Sequence, residues 1–286
     1  MNAKFLLAHF DRIVRVPGAI PRLRQFILDI AVRGKLVEQD PDDEPVSRTF
    51  KRIQQEKKQL VAEGKIRREK PPTPATSEEL GYELKPHWRA TRMGEVLLEL
   101  QTGPFGSSLH QSDYQTNGIP VINPASIKNE VLVPIEKMAV GMATLERLAT
   151  FKLRKGDIVM ARRGEMGRCA VVTEKEDGWL CGTGSLILRL SSCVSARFFV
   201  LLIGSPLVRE RLGGSAVGAT MQNLNQSILL NLVVGVPPLA EQHRIVAKVD
   251  ELMSLCDQLE ARLATAQIEA ARLLESVLHH ALQTSA

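Results

Sequence analysis

The sequence predicts an α+β protein: one mixed α/β domain with a curved, mostly antiparallel sheet, N-terminal helices before it and a long coiled-coil helix after it. Three observations predict this class. Apolar residues recur at helical spacing near the N-terminus, short strand-like runs punctuated by glycine fill roughly 85–236, and apolar residues from Ile245 to Val277 alternate spacings of four and three without a break. With 286 residues, 44% of them hydrophobic, the chain is long enough to bury a sizeable core. The expected division is an N-terminal helical region over 1–70, a proline-rich linker over 71–84, the mixed domain over 85–238 and the long helix over 239–286.

Near the N-terminus, Leu23, Phe26, Ile27, Ile30 and Ala31 share one helical face. Pro21 sits where a first-turn proline belongs, and Gly34 supplies a C-terminal stop. A shorter apolar-periodic segment at 5–14 precedes this helix and ends at Pro17-Gly18, so the two read as a helical hairpin. The acidic, proline-bounded stretch 38–45 reads as a loop and 46–62 as a further helix ending near Gly64. Pro71-Pro72-Thr73-Pro74 through Ser77 then forms an exposed linker. Between Lys51 and Lys70, eight basic residues stand against Glu56, Glu63 and Glu69. A phosphate-contacting helix face has this composition, and so does an ordinary solvated helix.

Beyond about residue 85 the pattern changes to short strands. Segments 92–100, 119–123, 157–161, 168–172 and 185–190 read as strands, with 233–236 closing the set, while 144–150 and 196–204 read as helices. Glycines cluster between them: Gly103 and Gly106, Gly164 and Gly167, Gly182 and Gly184, then Gly213, Gly214 and Gly218, which marks loops.

The last segment carries a heptad seam of Ile245, Val249, Leu252, Cys256, Leu259, Leu263, Ala266, Ala270, Leu273 and Val277. At 1.5 Å per residue, a helix over 240–282 is a rod of roughly 60 Å. A lone helix of this length exposes its whole apolar stripe, so the seam needs a partner, and the other long amphipathic helices lie at the opposite end of the chain. Either the two ends meet or two chains pair. Small Ala266 and Ala270 permit close approach of a partner helix, although their helix propensity accounts for them equally well.

Lys and Arg number 37 against 32 Asp and Glu, a net charge of +5, and the pI near 9.1 leans toward an anionic partner. Apolar runs such as 198–203 fall far short of the roughly 20 residues of a membrane span. Lys4, Asp11, Arg12 and Arg15 interrupt any signal-peptide layout, and a cytoplasmic address is expected. Cys169, Cys181, Cys193 and Cys256 contain no C-x-x-C pair and read as structural thiols. Apparent catalytic groupings lack essential members. Asn123-Pro124-Ala125-Ser126 is similar to the Asn-Pro-Pro-aromatic loop of adenine methylases, but the second proline and the aromatic are missing. Gly213-Gly214-Ser215 and Gly182-Thr183-Gly184 lack the Lys and Ser/Thr ending of a phosphate loop. His279 and His280, adjacent on a helix, diverge by about 100° and suit a surface or interface rather than a metal. Neither metal binding nor intrinsic catalysis is expected.

The stretch Pro237-Pro238-Leu239-Ala240-Glu241-Gln242-His243-Arg244-Ile245-Val246, followed by Lys248-Val249-Asp250-Glu251-Leu252-Met253, resembles the entry to the spacer helix of specificity subunits of Type I restriction-modification systems. Thr102-Gly103-Pro104-Phe105-Gly106-Ser107-Ser108-Leu109, with Ser112-Asp113-Tyr114 and Gly118-Ile119-Pro120-Val121-Ile122, is similar to the opening of that family's target recognition domain. Gly156-Asp157-Ile158-Val159, with Gly164, Gly167 and Ala170-Val171-Val172, resembles its central strand pair, and Gln222-Asn223-Leu224-Asn225 its closing turn. Leu23-Arg24-Gln25-Phe26-Ile27-Leu28 through Ala31-Val32-Arg33-Gly34-Lys35-Leu36 looks like the helix that folds back on a spacer helix. The family's usual chain carries two recognition domains, so this layout resembles half of such a subunit.

The resemblance implies a non-catalytic subunit that recognises double-stranded DNA. One domain reads half of a bipartite target in the major groove, and the coiled spacer sets the gap between halves. It also implies a methyltransferase subunit carrying S-adenosylmethionine, a restriction subunit using ATP, no cofactor in this chain, and a homodimer reading a palindromic target. The alternative is a stand-alone DNA-binding or helical assembly protein without enzyme partners. Candidate DNA contacts follow from chemistry. Phe105, Gly106, Ser107 and Ser108 form a glycine-bounded loop that offers amides and hydroxyls to phosphates, or an ordinary turn. Arg162, Arg163 and Arg168 suit guanine edges and phosphates. Gln222, Asn223 and Asn225 suit adenine or the capping of a tight turn, Tyr114 could stack on a base or sugar, and Lys128 is a further cation. Tyr82 and Trp88 are expected to pack the linker. The spacer or dimer contacts are Ile245, Val249, Leu252, Leu259, Leu263, Leu273 and Val277.

Overall fold

The structure, a computed structural model, describes residues 18–67, 72–214 and 224–284. The 5–14 segment of the expected hairpin, together with Gln222 and Asn223, lies outside the described residues. The chain divides into two compact units, Met1–Ile27 with Ala247–Ala286, and Leu28–Val246. These boundaries fall within helices rather than at the proline-rich stretch. No helix among the described residues is long and apolar enough to cross a membrane.

Helix α1 (Ala19–Val32) buries Ile20, Ile27, Ile30 and Ala31, while Phe26, expected on the same face, is 48% exposed. It ends as the glycine stop predicts. Gly34 has φ +71, its N–H bonds to the Ala31 carbonyl at 3.1 Å, and the Lys35 N–H reaches the Ile30 carbonyl at 2.8 Å. That bond pair closes a helix through a left-handed residue, which glycine adopts without a Cβ clash. Helix α2 (Val46–Ala62) follows Pro45 and buries Val46, Thr49, Phe50 and Ile53 along one side, leaving its basic side chains Lys51, Arg52 and Lys58 exposed.

The large unit continues with β1 (Arg89–Arg92), the short α3 (Met93–Val96) and β2 (Leu97–Thr102). Residues 92–100, expected as one strand, are therefore strand, helical turn and strand. The Glu95 carboxylate accepts the Arg92 N–H at 3.2 Å, and this local side-chain bond competes with extended pairing. Then come β3 (Tyr114–Gln115), β4 (Ile119–Ile122), β5 (Ile127–Lys128), β6 (Val131–Leu132), β7 (Ala139–Val140) and α4 (Met142–Arg147). They are followed by β8 (Ile158–Ala161), β9 (Cys169–Val171), β10 (Leu180–Cys181), β11 (Ser185–Leu190), α5 (Ala196–Gly204), α6 (Pro206–Gly214), α7 (Gln226–Asn231), β12 (Val233–Val236) and α8 (Leu239–Thr284). Gly213 and Gly214, read as loop residues, belong to the end of α6: Pro206 starts that helix, and its Val208 and Leu212 are buried.

Pairing is mostly antiparallel, as expected, with one parallel contact between β10 and β4. The strands are shared among two four-stranded sheets, β10-β4-β7-β3 and β2-β11-β8-β9, and two two-stranded ones, β1-β12 and β5-β6. Strand alternation joins the two larger sheets. Ile122 and Cys181 enter a core cluster with Val159, Ala170 and Ile187, while their neighbours Val121 and Leu180 enter a second cluster with Leu109, Val140 and Leu145. Helix α5 is buried from Phe198 through Ile203 and packs on β9. The β1-β12 pair, with Arg89 opposite Val236, brings the start and end of the mixed domain side by side.

The sequence stretch that opens the long helix acts as an anchor. Glu241, fully buried, accepts the Trp88 indole N–H at 3.0 Å. The Gln242 side chain, also buried, accepts the Ser195 N–H at 2.8 Å and donates to the Pro237 carbonyl at 2.9 Å. Arg244 grips Asp43 through two bonds of 2.9 and 2.6 Å, and this hydrogen-bonded pairing holds the Asp43 carboxyl below its ordinary range. Tyr82 and Trp88 pack the stretch before β1 as expected: the Tyr82 hydroxyl donates to the Val32 carbonyl at 3.2 Å, and Arg33 lies over its ring.

Along α8, Ile245, Val249, Leu252 and Cys256 are buried and Leu259 and Leu263 half-buried. Ala266, Ala270, Leu273 and Val277 are exposed, the last two at 68% and 57%. Within the smaller unit α1 lies beside α8, with the Arg24 guanidinium bridging Asp257 and Glu260, each at 2.6 Å. The two ends of the chain therefore meet along the first part of the seam, and its last turns remain bare.

Candidate functional site

The glycine-bounded loops predicted from sequence converge on one turn, Gly182-Thr183-Gly184, between β10 and β11. Gly182 donates to the Ile122 carbonyl at 2.9 Å, Gly103 to the Ser185 carbonyl at 2.9 Å and Arg162 to the Gly184 carbonyl at 2.8 Å, while Leu224 donates back to the Arg162 carbonyl at 2.9 Å. The ends of β2, β4 and β8 and the entry to α7 thus share one hydrogen-bonded layer. Two of its glycines are sterically required. A Cβ on Gly103 would lie 2.2 Å from the Gly182 carbonyl oxygen, and one on Gly182 would lie 2.2 Å from Asn123 Oδ1. The side chain of Gln226 ties α7 to the same layer through Thr102 Oγ1 at 2.8 Å.

The arginine loop between β8 and β9 joins this layer through Arg162. Arg162 and Arg168 are half-buried, and their Nε atoms are shielded from solvent with no hydrogen-bond acceptor among the described residues. Shielded donors of this kind are costly unless a partner completes them. Arg163 is exposed, with its side chain beside Gly184. The hairpin is held from below. Gly167, at φ +80, lies so close to the end of α5 that a Cβ would meet the Ile203 carbonyl oxygen at 2.7 Å, and Arg209 of α6 forms an ion pair with Glu165.

Phe105 is 63% exposed, Gly106 and Ser107 are exposed and Ser108 is half-buried. This loop is braced by Arg147 of α4, which donates to the Ser108 carbonyl and, at 2.8 Å, to Asp113. The His110 N–H, first, and then Arg147 hold the Asp113 carboxyl below its usual range. Asn225 is exposed and is the N-cap of the helix α7, its Oδ1 accepting the Ser227 N–H at 3.0 Å. Tyr114 packs partly into the second core cluster, and Lys128 is exposed beside the β5–β6 turn, where Asn129 and Glu130 have positive φ. These two belong to other elements than the shared loop layer.

Two participants carry no signal in the sequence, Arg147 and Arg209, which brace the loops; the Gly182-Thr183-Gly184 turn is marked there as a glycine-paired loop and an incomplete phosphate loop, but not as the meeting point of the others. Its signal was the pair of glycines between two strands. Cys169 and Cys181 are fully buried, and burial pushes both thiols well above their ordinary range. Chemically, the site offers guanidinium and hydroxyl donors, groups that suit an anionic or hydrogen-bonding partner.

Residues 87–270 match the family model described as the Type I restriction modification DNA specificity domain. Among curated proteins, the chain is 30% identical over 280 residues to the EcoEI specificity subunit of a Type I restriction enzyme from Escherichia coli, covering 96% of this chain and 47% of that protein. To the EcoAI specificity subunit from Escherichia coli it is 29% identical, covering 91% and 44%. The chain spans about half the length of the curated relatives it matches. The fold is similar to the HsdS subunit from Thermoanaerobacter tengcongensis, with a TM-score of 0.52 at 20% identity over 94% of this chain and 56% of that one.

Proposed function

Because the chain belongs to the Type I restriction-modification DNA specificity family, we propose that it is a non-catalytic DNA-recognition subunit acting in the cytoplasm. The large unit reads one half of an interrupted target on double-stranded DNA, and the chemistry resides on partners: a methyltransferase subunit binding S-adenosylmethionine and a restriction subunit using ATP. The observation that carries this reading is the convergence of the 103–108, 162–168 and 224–225 loops on Gly182-Thr183-Gly184, which puts the arginine loop in the same layer as the loop of Phe105 to Ser108. Phosphate contacts would come from the loop amides and hydroxyls, and base contacts from the arginines.

Arg163→Ala is expected to weaken binding to the cognate duplex by about 1–3 kcal/mol, roughly 5- to 150-fold, and to relax preference at one base position. Anisotropy titrations on the target, identified by methylome sequencing of cells expressing the chain with its methyltransferase, provide the measurement. Unchanged affinity and preference would remove this loop from the interface.

The bare end of the seam supports a homodimer, in which the exposed Leu273 and Val277 pair with a second copy and two identical domains read a palindromic, interrupted site. Wild-type chain should sediment as a dimer at micromolar concentration, with or without the methyltransferase, and the double variant Leu273→Glu, Val277→Glu as a monomer. A monomeric wild type under both conditions sinks the dimer.

A further inference from the structure

The large unit carries a second recess, lined by residues outside the loop layer. A groove of about 600 Å³ runs between α2 and the start of β2. Phe50, Val61, Ile66 and Leu98 give it apolar walls, and Lys58 and Arg67 stand exposed at its edge. It is a built feature. Arg89 stacks over the Phe50 ring at 4.3 Å and pairs with Glu95 at 2.9 Å, and the Lys57 ammonium donates to the Gly94 carbonyl at 2.6 Å, fastening α2 to α3.

We infer that this groove docks a segment of the methyltransferase subunit in which an acidic side chain is flanked by apolar ones. The inference rests on the functional reading above, since it names the surface by which that partner is held. Charge selects the acidic residue: Lys57, Lys58, Arg67 and Arg89 line the groove against the single carboxylate of Glu95. The apolar walls select a peptide over a phosphodiester backbone, which has no side chains to bury there. Position agrees. Leu98 lies at the start of β2 and Thr102 at its end, on the loop layer; four residues of extended strand separate them by roughly 13 Å. None of the residues that line the groove belongs to the loop layer.

The test uses the full chain and the purified methyltransferase subunit of its own system, with cognate duplex titrated in parallel. Two variants are compared with wild type: the double variant Lys58→Glu, Arg67→Glu, which reverses exposed charge with little effect on folding, and Val61→Glu, which puts a carboxylate on the apolar wall. Each is expected to weaken methyltransferase binding by about tenfold or more, because like charges meet in the groove, and to leave duplex affinity within about twofold of wild type. Methyltransferase binding equal to wild type in both variants overturns the groove assignment alone. Duplex affinity falling with a shallower salt dependence also overturns it and makes the face a DNA-backbone contact. A wild-type chain that binds duplex but no methyltransferase overturns the partner reading itself, an outcome separable from the other two.

Discussion

Trp88→Ala is expected to lower folding stability by about 3–5 kcal/mol, the range for emptying a large buried aromatic site. Trp88 is 6% exposed and fills a slot made by two glycines: a Cβ on Gly34 would lie 3.0 Å from the indole, and one on Gly235 would lie 3.2 Å from it. The ring thus joins the end of α1, the last strand of the mixed domain and, through its N–H, Glu241 at the head of α8. Truncation opens a cavity and also strips the buried Glu241 carboxylate of its shortest bond, leaving Gln39 at 3.5 Å and Lys85 at 4.0 Å. Leaving a buried polar group without its partner costs about 1–3 kcal/mol by itself, so Trp88→Phe, which keeps most of the volume, should lose that smaller amount. Urea unfolding of the three proteins separates the two contributions. A loss below about 1 kcal/mol for Trp88→Ala would contradict the role of this joint.

The second large effect is on recognition. Gly103→Ala places a methyl group 2.2 Å from a backbone carbonyl, which no side-chain rotation relieves, so the loop carrying Phe105 to Ser108 must separate from the Gly182-Thr183-Gly184 turn. Overpacking of this kind costs about 1–3 kcal/mol of stability, and the protein should still fold. Specific DNA affinity should suffer more, because the reading groups depend on one shared layer. We expect binding to the cognate duplex to fall by about a hundredfold or more, toward the non-specific level, while salt-dependent binding to unrelated duplex persists. Parallel titrations on both duplexes at one salt concentration measure this. A folded Gly103→Ala protein that keeps its target preference would show that the loops read DNA independently.

Periodic segments were the legible part of the fold. Helices Val46–Ala62 and Ala196–Gly204 and strands Ser185–Leu190 and Val233–Val236 have the limits that apolar spacing and turn residues predict, because in each the local pattern and the tertiary environment agree. Fold and pattern part where a local bond outweighs periodicity, as Glu95 does in breaking 92–100, and where glycines that resemble a loop close a helix, as at Gly213 and Gly214. The candidate site was legible as residue types. Residue chemistry names Arg162, Arg163, Arg168 and the 105–108 loop as candidates, but the brace residues Arg147 and Arg209 look like any surface arginine until the fold sets them against Asp113 and Glu165.

By itself the sequence determined the element types, the heptad seam and the family resemblance, since periodicity, turn chemistry and motif spacing are properties of neighbouring residues. The tertiary structure alone decided which half of the seam is covered: Arg24 reaches Asp257 and Glu260 across more than two hundred residues, while Leu273 and Val277 stay bare. It alone decided that Gly182-Thr183-Gly184 is the meeting point of the loops and that Glu241, Gln242 and Arg244 anchor the long helix. Such pairings depend on which distant backbones pack together, and the spacing of residues along one chain does not encode that distance.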